Sequence, residues 1–300
     1  TVAASPAWRL RQHGHYVDGV EVDVAVRVIA VKLMHATLTY AELKQPSYAP
    51  LCDRMTACSF QCLAARSEPL VGAARDALAT LIARHKPHKE LLQSALRPVL
   101  LNLADYRKLS VPLLQGLSRF LSLLSNFFNL TLGEKLLEHL HRWADPENVA
   151  KLQKSLRVGD EVNIPCAILA LFHLLPPAPN KFVEPLIAVT FDLESMLPGT
   201  LSTGRLWSPY REALVAYFNR HPNESVTFLL ERIGKTSAAS DAVSAARAGT
   251  AQQRAFHLLL SLAKWPAADK VRTELTSRWE TLIQVTFQAA SIAAAASSRA

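Results

Sequence analysis

Apolar residues recur at spacings of three and four along most of the chain, with short breaks between the runs. The clearest series is Leu109, Leu113, Leu117, Phe120, Leu121, Leu124, Phe127 and Phe128. That spacing lines one face of a 3.6-residue helix. Leu132, Leu136, Leu137, Leu140 and Trp143 repeat it. Only Asn129, Leu130 and Thr131 stand between the two series, which predicts an antiparallel helix pair. Asp145-Pro146-Glu147 restarts the pattern: Asp145 can cap, Pro146 fits the first helical position, and Glu147 suits the positive end of the helix dipole.

The same rhythm extends in both directions. Residues 1–18 read as an irregular or partial element. From Gly19 to Tyr40 the valines at 20, 22, 24, 26 and 28 alternate as in a strand. Val24, Val28, Val31, His35 and Leu38 also fit a helix, and no partner strand is in prospect, so helix is expected. Further helices are expected over residues 51–66, over Ser67 to His85 with Ser67 as cap, and from Pro87 to Leu103, where Pro98 should kink the helix or mark a boundary. A short helix is expected around Glu147 to Leu156, and Arg157-Val158-Gly159-Asp160 reads as a turn. Pro165 is expected to start an apolar helix, followed by one carrying Phe182 to Leu197 that Pro198-Gly199 stops. Ser208-Pro209 caps the next, and His221-Pro222-Asn223 turns it onto its mate. Two last helices are expected, about 243–264 and 267 to the end.

About twelve helices result, with a period near 40 residues per pair and little identity between pairs. One hairpin cannot bury its own apolar face, so neighbouring pairs must stack. The predicted fold is all-α, an α-solenoid of HEAT/armadillo-like antiparallel helix pairs: about six pairs over residues 19–300. A compact helical domain is the competing architecture. The first residue is not Met and the last lies in an alanine-rich helix, which reads as a fragment of a longer chain.

Composition sharpens this picture. Ten glycines in 300 residues are few for long β-meanders, and with half the residues hydrophobic, disorder throughout is not expected. The longest apolar run, Cys166 to Leu175, is too short for a membrane span. Four cysteines (Cys52, Cys58, Cys62, Cys166) make no disulfide framework at this size and point to a reduced, intracellular compartment. Cys58 and Cys62 lie one helical turn apart, but without further ligands at zinc-site spacing they read as buried structural thiols.

The net charge of +8 permits an acidic partner. Its densest stretch holds seven cations, Arg84, Lys86, Lys89, Arg97, Arg107, Lys108 and Arg119, against Glu90 and Asp105, a local +5. These form either ordinary solvated helix faces or a contact patch.

No catalytic constellation emerges, and no metal or cofactor site is expected. Gly234-Lys235-Thr236 resembles the end of a phosphate-binding loop, but Leu229 stands where the first glycine belongs. His139 and His141 are two apart on a helix and cannot easily share a metal. Phe120 replaces the second glycine of a nucleophile elbow after Gly116-Leu117-Ser118. The sequons at Asn129 and Asn223 fall in helix turns, where capping roles are expected.

Three segments carry a family resemblance. LRPVLLNLAD (96–105), RKLSVPLLQGLSRFLSLLSNFFN (107–129) and LGEKLLEHL (132–140) resemble the helical-repeat region of the TRRAP family, with a weaker echo in SPYREALVAYFNRHPNESVTFLL (208–230). Its members are very large scaffold subunits shared by SAGA-type and nucleosome-acetylating coactivator complexes. The resemblance implies HEAT repeats from a protein related to phosphatidylinositol-kinase-like kinases whose own kinase domain is inactive. It also implies a nuclear, non-enzymatic scaffold that receives transcription activators and brings a histone acetyltransferase to chromatin. Its expected partners are activators and acetyltransferase-complex subunits; nucleic acid is possible but not favoured, and no membrane is expected. Three rivals stand beside it: the non-catalytic arm of an active kinase of that superfamily, a nucleic-acid-binding solenoid, and a transport receptor of the karyopherin type.

Overall fold

A computed structural model describes residues 10–12, 15–17, 19–63, 65, 67–85, 89–124, 128–152, 156–197, 208–234 and 242–297. Among these lie fourteen α-helices, four short 3-10 segments and one two-stranded hairpin. The chain gathers into two compact units, Thr1–Lys108 with Gln115–Leu124, and Leu109–Leu114 with Ser125–Ala300.

The first unit opens with the hairpin, β1 (Leu10–Gln12) antiparallel to β2 (His15–Val17), with Leu10 opposite Val17. Residues expected to be irregular thus include one strand pair. Helix α1 (Gly19–Thr37) follows. It resolves the valine run as helical, with Val31 and Leu38 buried and Val26 exposed. Helices α2 (Ala49–Leu63), α3 (Glu68–His85) and α4 (Lys89–Asn102) complete the series, with α3 against both α1 and α2. Ala73, Ala74, Ala77, Leu78 and Leu81 of α3 are buried, so alanines and leucines share its packing side. Pro98 lies inside α4. The later part of α5 (Val111–Leu124) adds Phe120, whose ring centroid is 5.6 Å from that of Phe60.

The second unit contains α6 (Leu130–Trp143), α7 (Pro146–Leu152), α8 (Asp160–Leu171) and α9 (Pro179–Ser195). Then come α10 (Pro209–Arg220), α11 (Pro222–Gly234), α12 (Ala242–Lys264), α13 (Asp269–Ser277) and α14 (Trp279–Ser297). Helices two apart in the chain stack: α8 on α10, and α9 on α11. The long α12 intervenes, after which α13 packs on α10 and α14 on α11. Two parallel layers of stacked helices result, the arrangement of an α-solenoid.

Local chemistry sets several boundaries. Asp145 accepts from the backbone N–H of Glu147 at 3.0 Å and from the Asn148 side chain at 2.9 Å, starting α7. Ser208 Oγ accepts from the Arg211 N–H at 3.3 Å at the start of α10. Gly159 sits at φ +89°, where a Cβ would be strained, and lets the chain turn into α8.

Two expectations are corrected. Pro165 does not start α8; the helix begins five residues earlier, where Asp160 and Glu161 favour the N-terminal dipole, and runs through the proline. The last helical stretch is two helices, because Arg278 leaves helical geometry (φ −113°, ψ 26°) and its side chain reaches Thr227 and Asn223 of α11. No proline or glycine marks that break. On the long apolar series Leu114 is buried in place of Leu113, while Phe127 lies outside the described residues. The expected linker and stop at 198–207 and most of the loop at 236–242 also lie outside them.

Candidate functional site

The basic stretch divides once its side chains are placed. Arg84, in the last turn of α3, donates to the carbonyl oxygens of Leu38 at 3.4 Å and Thr39 at 3.2 Å. Those carbonyls follow the end of α1 and would otherwise need water. Arg119 of α5 donates to Leu63 and Ala65, both at 3.2 Å, and pairs with the Glu68 carboxylate at 2.5 Å. It closes the end of α2 and the start of α3. Both guanidinium groups are therefore held in the scaffold.

Besides Arg84, which is exposed although hydrogen-bonded, Arg97 on α4 and Arg107 and Lys108 on the 3-10 turn Tyr106–Lys108 are exposed in the first unit. The Arg107 backbone N–H donates to Asp105 at 3.0 Å, and its guanidinium carbon lies 5.6 Å from the Tyr106 ring centroid. That contact orients a planar, bidentate donor. Lys86 lies outside the described residues, as does the Lys89 side chain.

The arginine device recurs in the second unit. Arg220, the last residue of α10, donates to the carbonyls of His173 and Leu175 just after α8, the latter at 2.9 Å. The separations are 45 and 46 residues for Arg84 and 45 and 47 for Arg220, one repeat in each case. Sequence reading missed this role, because the acceptors are backbone atoms and carry no side-chain signature.

The second unit also holds a buried ion pair. Arg211 Nε lies 2.6 Å from Glu194 Oε1 and its Nη2 lies 2.9 Å from Oε2, while Nη1 donates to Ser261 Oγ at 3.3 Å. Helices α9, α10 and α12 are joined by one guanidinium. Nearby, burial and the Glu212 carboxylate push the Cys166 thiol up to about 12, so it stays protonated and unreactive. Burial likewise raises the Tyr210 phenol. His173 and His221 are pushed down, chiefly by burial and partly by the Arg220 charge.

These groups hold the scaffold together; in the first unit Cys52 Sγ lies 3.7 Å from His85 Nδ1, and burial pushes that thiol up. His139 is buried in α6, while His141 is exposed on the same helix. Cys52 is buried; Cys58 is exposed, contrary to the expectation of a buried thiol, because it faces outward on α2. Asn223 of the second sequon accepts from Arg278. Among the described residues, no group of three or more His, Cys, Asp or Glu is placed to hold a metal ion, and no helix is long and apolar enough to cross a membrane. An open groove of about 340 Å³ between α11 and α14 is lined by Leu230, Gly234 and Val285 and by the polar Thr227, Glu231, Arg278 and Thr281, of which Arg278 donates to Thr227.

Comparison with known proteins agrees with the stacked helices. Residues 17–257 match the family described as the Tra1 HEAT repeat ring region. The chain is 36% identical over 208 residues to a probable transcription-associated protein 1 of Dictyostelium discoideum, covering 69% of this chain and 4% of that protein. It is 32% identical over 207 residues to the SAGA complex/NuA4 acetyltransferase complex subunit Tra1 of Schizosaccharomyces pombe, covering 68% of this chain and 6% of the relative. The Saccharomyces cerevisiae subunit of the same description is 34% identical over 202 residues, 67% of this chain and 5% of its own length. The chain belongs to the Tra1/TRRAP family, in its HEAT repeat ring region.

Proposed function

We propose that this chain is a non-enzymatic scaffold segment of a nuclear transcription coactivator, holding activators and acetyltransferase-complex subunits on stacked helix pairs. The observation that carries the reading is the match to relatives described as SAGA and NuA4 subunits, over a region built of repeats. Each relative is many times longer than this chain, so the segment supplies surface and spacing within a larger protein. A solenoid suits that task because each repeat adds surface without a new core.

Acidic activation segments are the favoured ligands, and Arg97, Arg107 and Lys108 are the favoured contacts. All three are exposed, and the arginines can meet a carboxylate with two parallel hydrogen bonds. The test is binding of the full-length protein to an acidic activator peptide across a salt series. Affinity should fall as salt rises, and the triple variant Arg97→Glu, Arg107→Glu, Lys108→Glu should lose roughly tenfold or more. Complex assembly should survive in that variant. Salt-independent binding, or an unaffected variant, removes the patch from the reading. Failure of the full-length protein to co-purify with acetyltransferase subunits removes the scaffold itself.

A further inference from the structure

Leu109 and Ser110 connect the 3-10 turn Tyr106–Lys108 to α5. Leu109 is buried, while Arg107, Lys108 and Ser110 are all exposed. The Ser110 carbonyl accepts from the Leu114 N–H at 3.0 Å, the first turn of α5, so the serine hydroxyl stands at the helix entrance on non-helical backbone. The segment runs Arg107-Lys108-Leu109-Ser110-Val111. Cations three and two places before a hydroxyl, with an apolar residue after it, suit a serine kinase that has an acidic substrate groove. Such a kinase takes its substrate extended, a form open to an exposed, irregular connection and closed to a helix interior. A second arginine–serine pair at the same spacing supplies the contrast. Arg119 stands three places before Ser122, but both lie inside α5. Arg119 is committed to Leu63, Ala65 and Glu68, and Ser122 Oγ donates to the Arg119 carbonyl at 2.8 Å. Arg107 instead leans on the Tyr106 ring with its side chain in solvent.

We infer that Ser110 is a phosphorylation site for an arginine-directed serine kinase, and that its phosphate shuts the basic contact patch. The Ser110 hydroxyl oxygen bonds to the γ-phosphorus of ATP, and the bond from that phosphorus to the β–γ bridging oxygen breaks. ADP leaves, and the hydroxyl proton passes to the kinase's catalytic aspartate. The product carries about two negative charges and strong acceptor oxygens. Three residues of chain reach at most about 11 Å, so Arg107 and Lys108 can close on the phosphate as charge-assisted donors. Those donors are then lost to an acidic segment, and the added charge repels it. The entrance of α5 tolerates the product, because a helix N-terminus favours negative charge. The shutting rests on the reading of Arg97, Arg107 and Lys108 as contacts for acidic segments; the phosphorylation itself does not.

The experiment treats the full-length protein, purified alone, with cyclic-AMP-dependent protein kinase and ATP, and reads phosphate on each peptide by mass spectrometry. Ser110 should fill completely, and Ser122 should stay empty, which also shows that the fold is intact. Arg107→Gln should slow the filling at least about tenfold. An unfilled Ser110 overturns the inference, as does equal filling in the Arg107→Gln variant. A second arm measures binding of the acidic activator peptide. The phosphorylated protein should bind it at least about fivefold more weakly than the untreated protein. Ser110→Ala carried through the same treatment should keep its affinity. Unchanged affinity on a filled Ser110 overturns the shutting. Untreated protein that does not bind the peptide removes the patch reading and the shutting with it, while the first arm still decides the phosphorylation.

Discussion

The α1–α3 pair of the first unit and the α8–α10 pair of the second share a spacing and differ in nearly everything that fills it. In each, an arginine from the last turn of the later helix donates to carbonyls just past the end of the earlier one, 45–47 residues back. The packing side of α3, which meets α1 and α2, carries three alanines, Ala73, Ala74 and Ala77, among Leu70, Val71, Leu78 and Leu81. Between α8 and α10 it is aromatic: Phe172 lies 6.3 Å from Tyr217, edge to face, and Phe218 is fully buried beside it. Exposure differs too. Val26, Ile29 and Leu33 of α1 are exposed, while α8 exposes no large apolar side chain among its described residues. The spacing of a repeat is therefore compatible with two unlike fillings, provided that the helix ends meet in the same way.

The largest effect should separate the two fillings. Phe218→Ala empties an aromatic site and should destabilise the second unit by about 3–5 kcal/mol, whereas Ala77→Leu overfills the first by about 1–3 kcal/mol. Urea unfolding with hydrogen exchange on each unit's peptides reads both. Equal losses would mean that the fillings are equivalent. Next comes Arg211→Ala, which leaves the half-buried Glu194 without this ion pair and should cost up to about 3 kcal/mol. The double variant Arg211→Met, Glu194→Met should recover most of that, and no recovery would assign the loss to packing.

Gly133→Ala tests close approach within the second unit alone. A Cβ there would lie 2.6 Å from Phe182 Cζ, so about 1–3 kcal/mol is expected, relieved when Phe182 is also cut to Leu. Smaller still, and aimed at what the two pairs share, are Arg84→Ala and Arg220→Ala. Each should cost about 1 kcal/mol and raise exchange at its own helix end. A loss at one site only would show that the resemblance is geometric and not energetic. The smallest effect concerns acid. His173 and His221 have lowered values, so the stability they lend the α8–α10 pair is complete above the unfolded value near 6.5 and is lost as pH falls through the folded values. Exchange protection in α8 and α10 should decline through that window, and a flat profile would deny the shift.

How much of this the sequence showed depends on what each feature is made of. Helix faces were legible, because the core positions Leu117, Leu121, Leu136 and Leu140 repeat at helical spacing and are fully buried. The caps at Asp145 and Ser208 were legible for the same local reason. The helix through Pro165 was misread, since proline's missing N–H suggested a start where the fold accepts one lost bond. The break at Arg278 was invisible, because it depends on Thr227 and Asn223 some fifty residues away. The basic stretch was legible as charge and not as placement. Arg84 and Arg119 look like Arg97 in sequence, and only their distance to buried helix ends distinguishes them.

The carbonyl acceptors of Arg84 and Arg220 carry one more implication. The acceptors are two leucines, Leu38 and Leu175, a threonine, Thr39, and a histidine, His173, and each presents the same backbone oxygen. A guanidinium that binds them registers where the chain ends a helix and is blind to which residue ends it. The hydrogen bonds themselves do not depend on the acceptor side chains, although Leu38 and Leu175 are also held by burial in the core, while they do depend on the arginine. A repeat array held this way can drift in its letters and keep its stride.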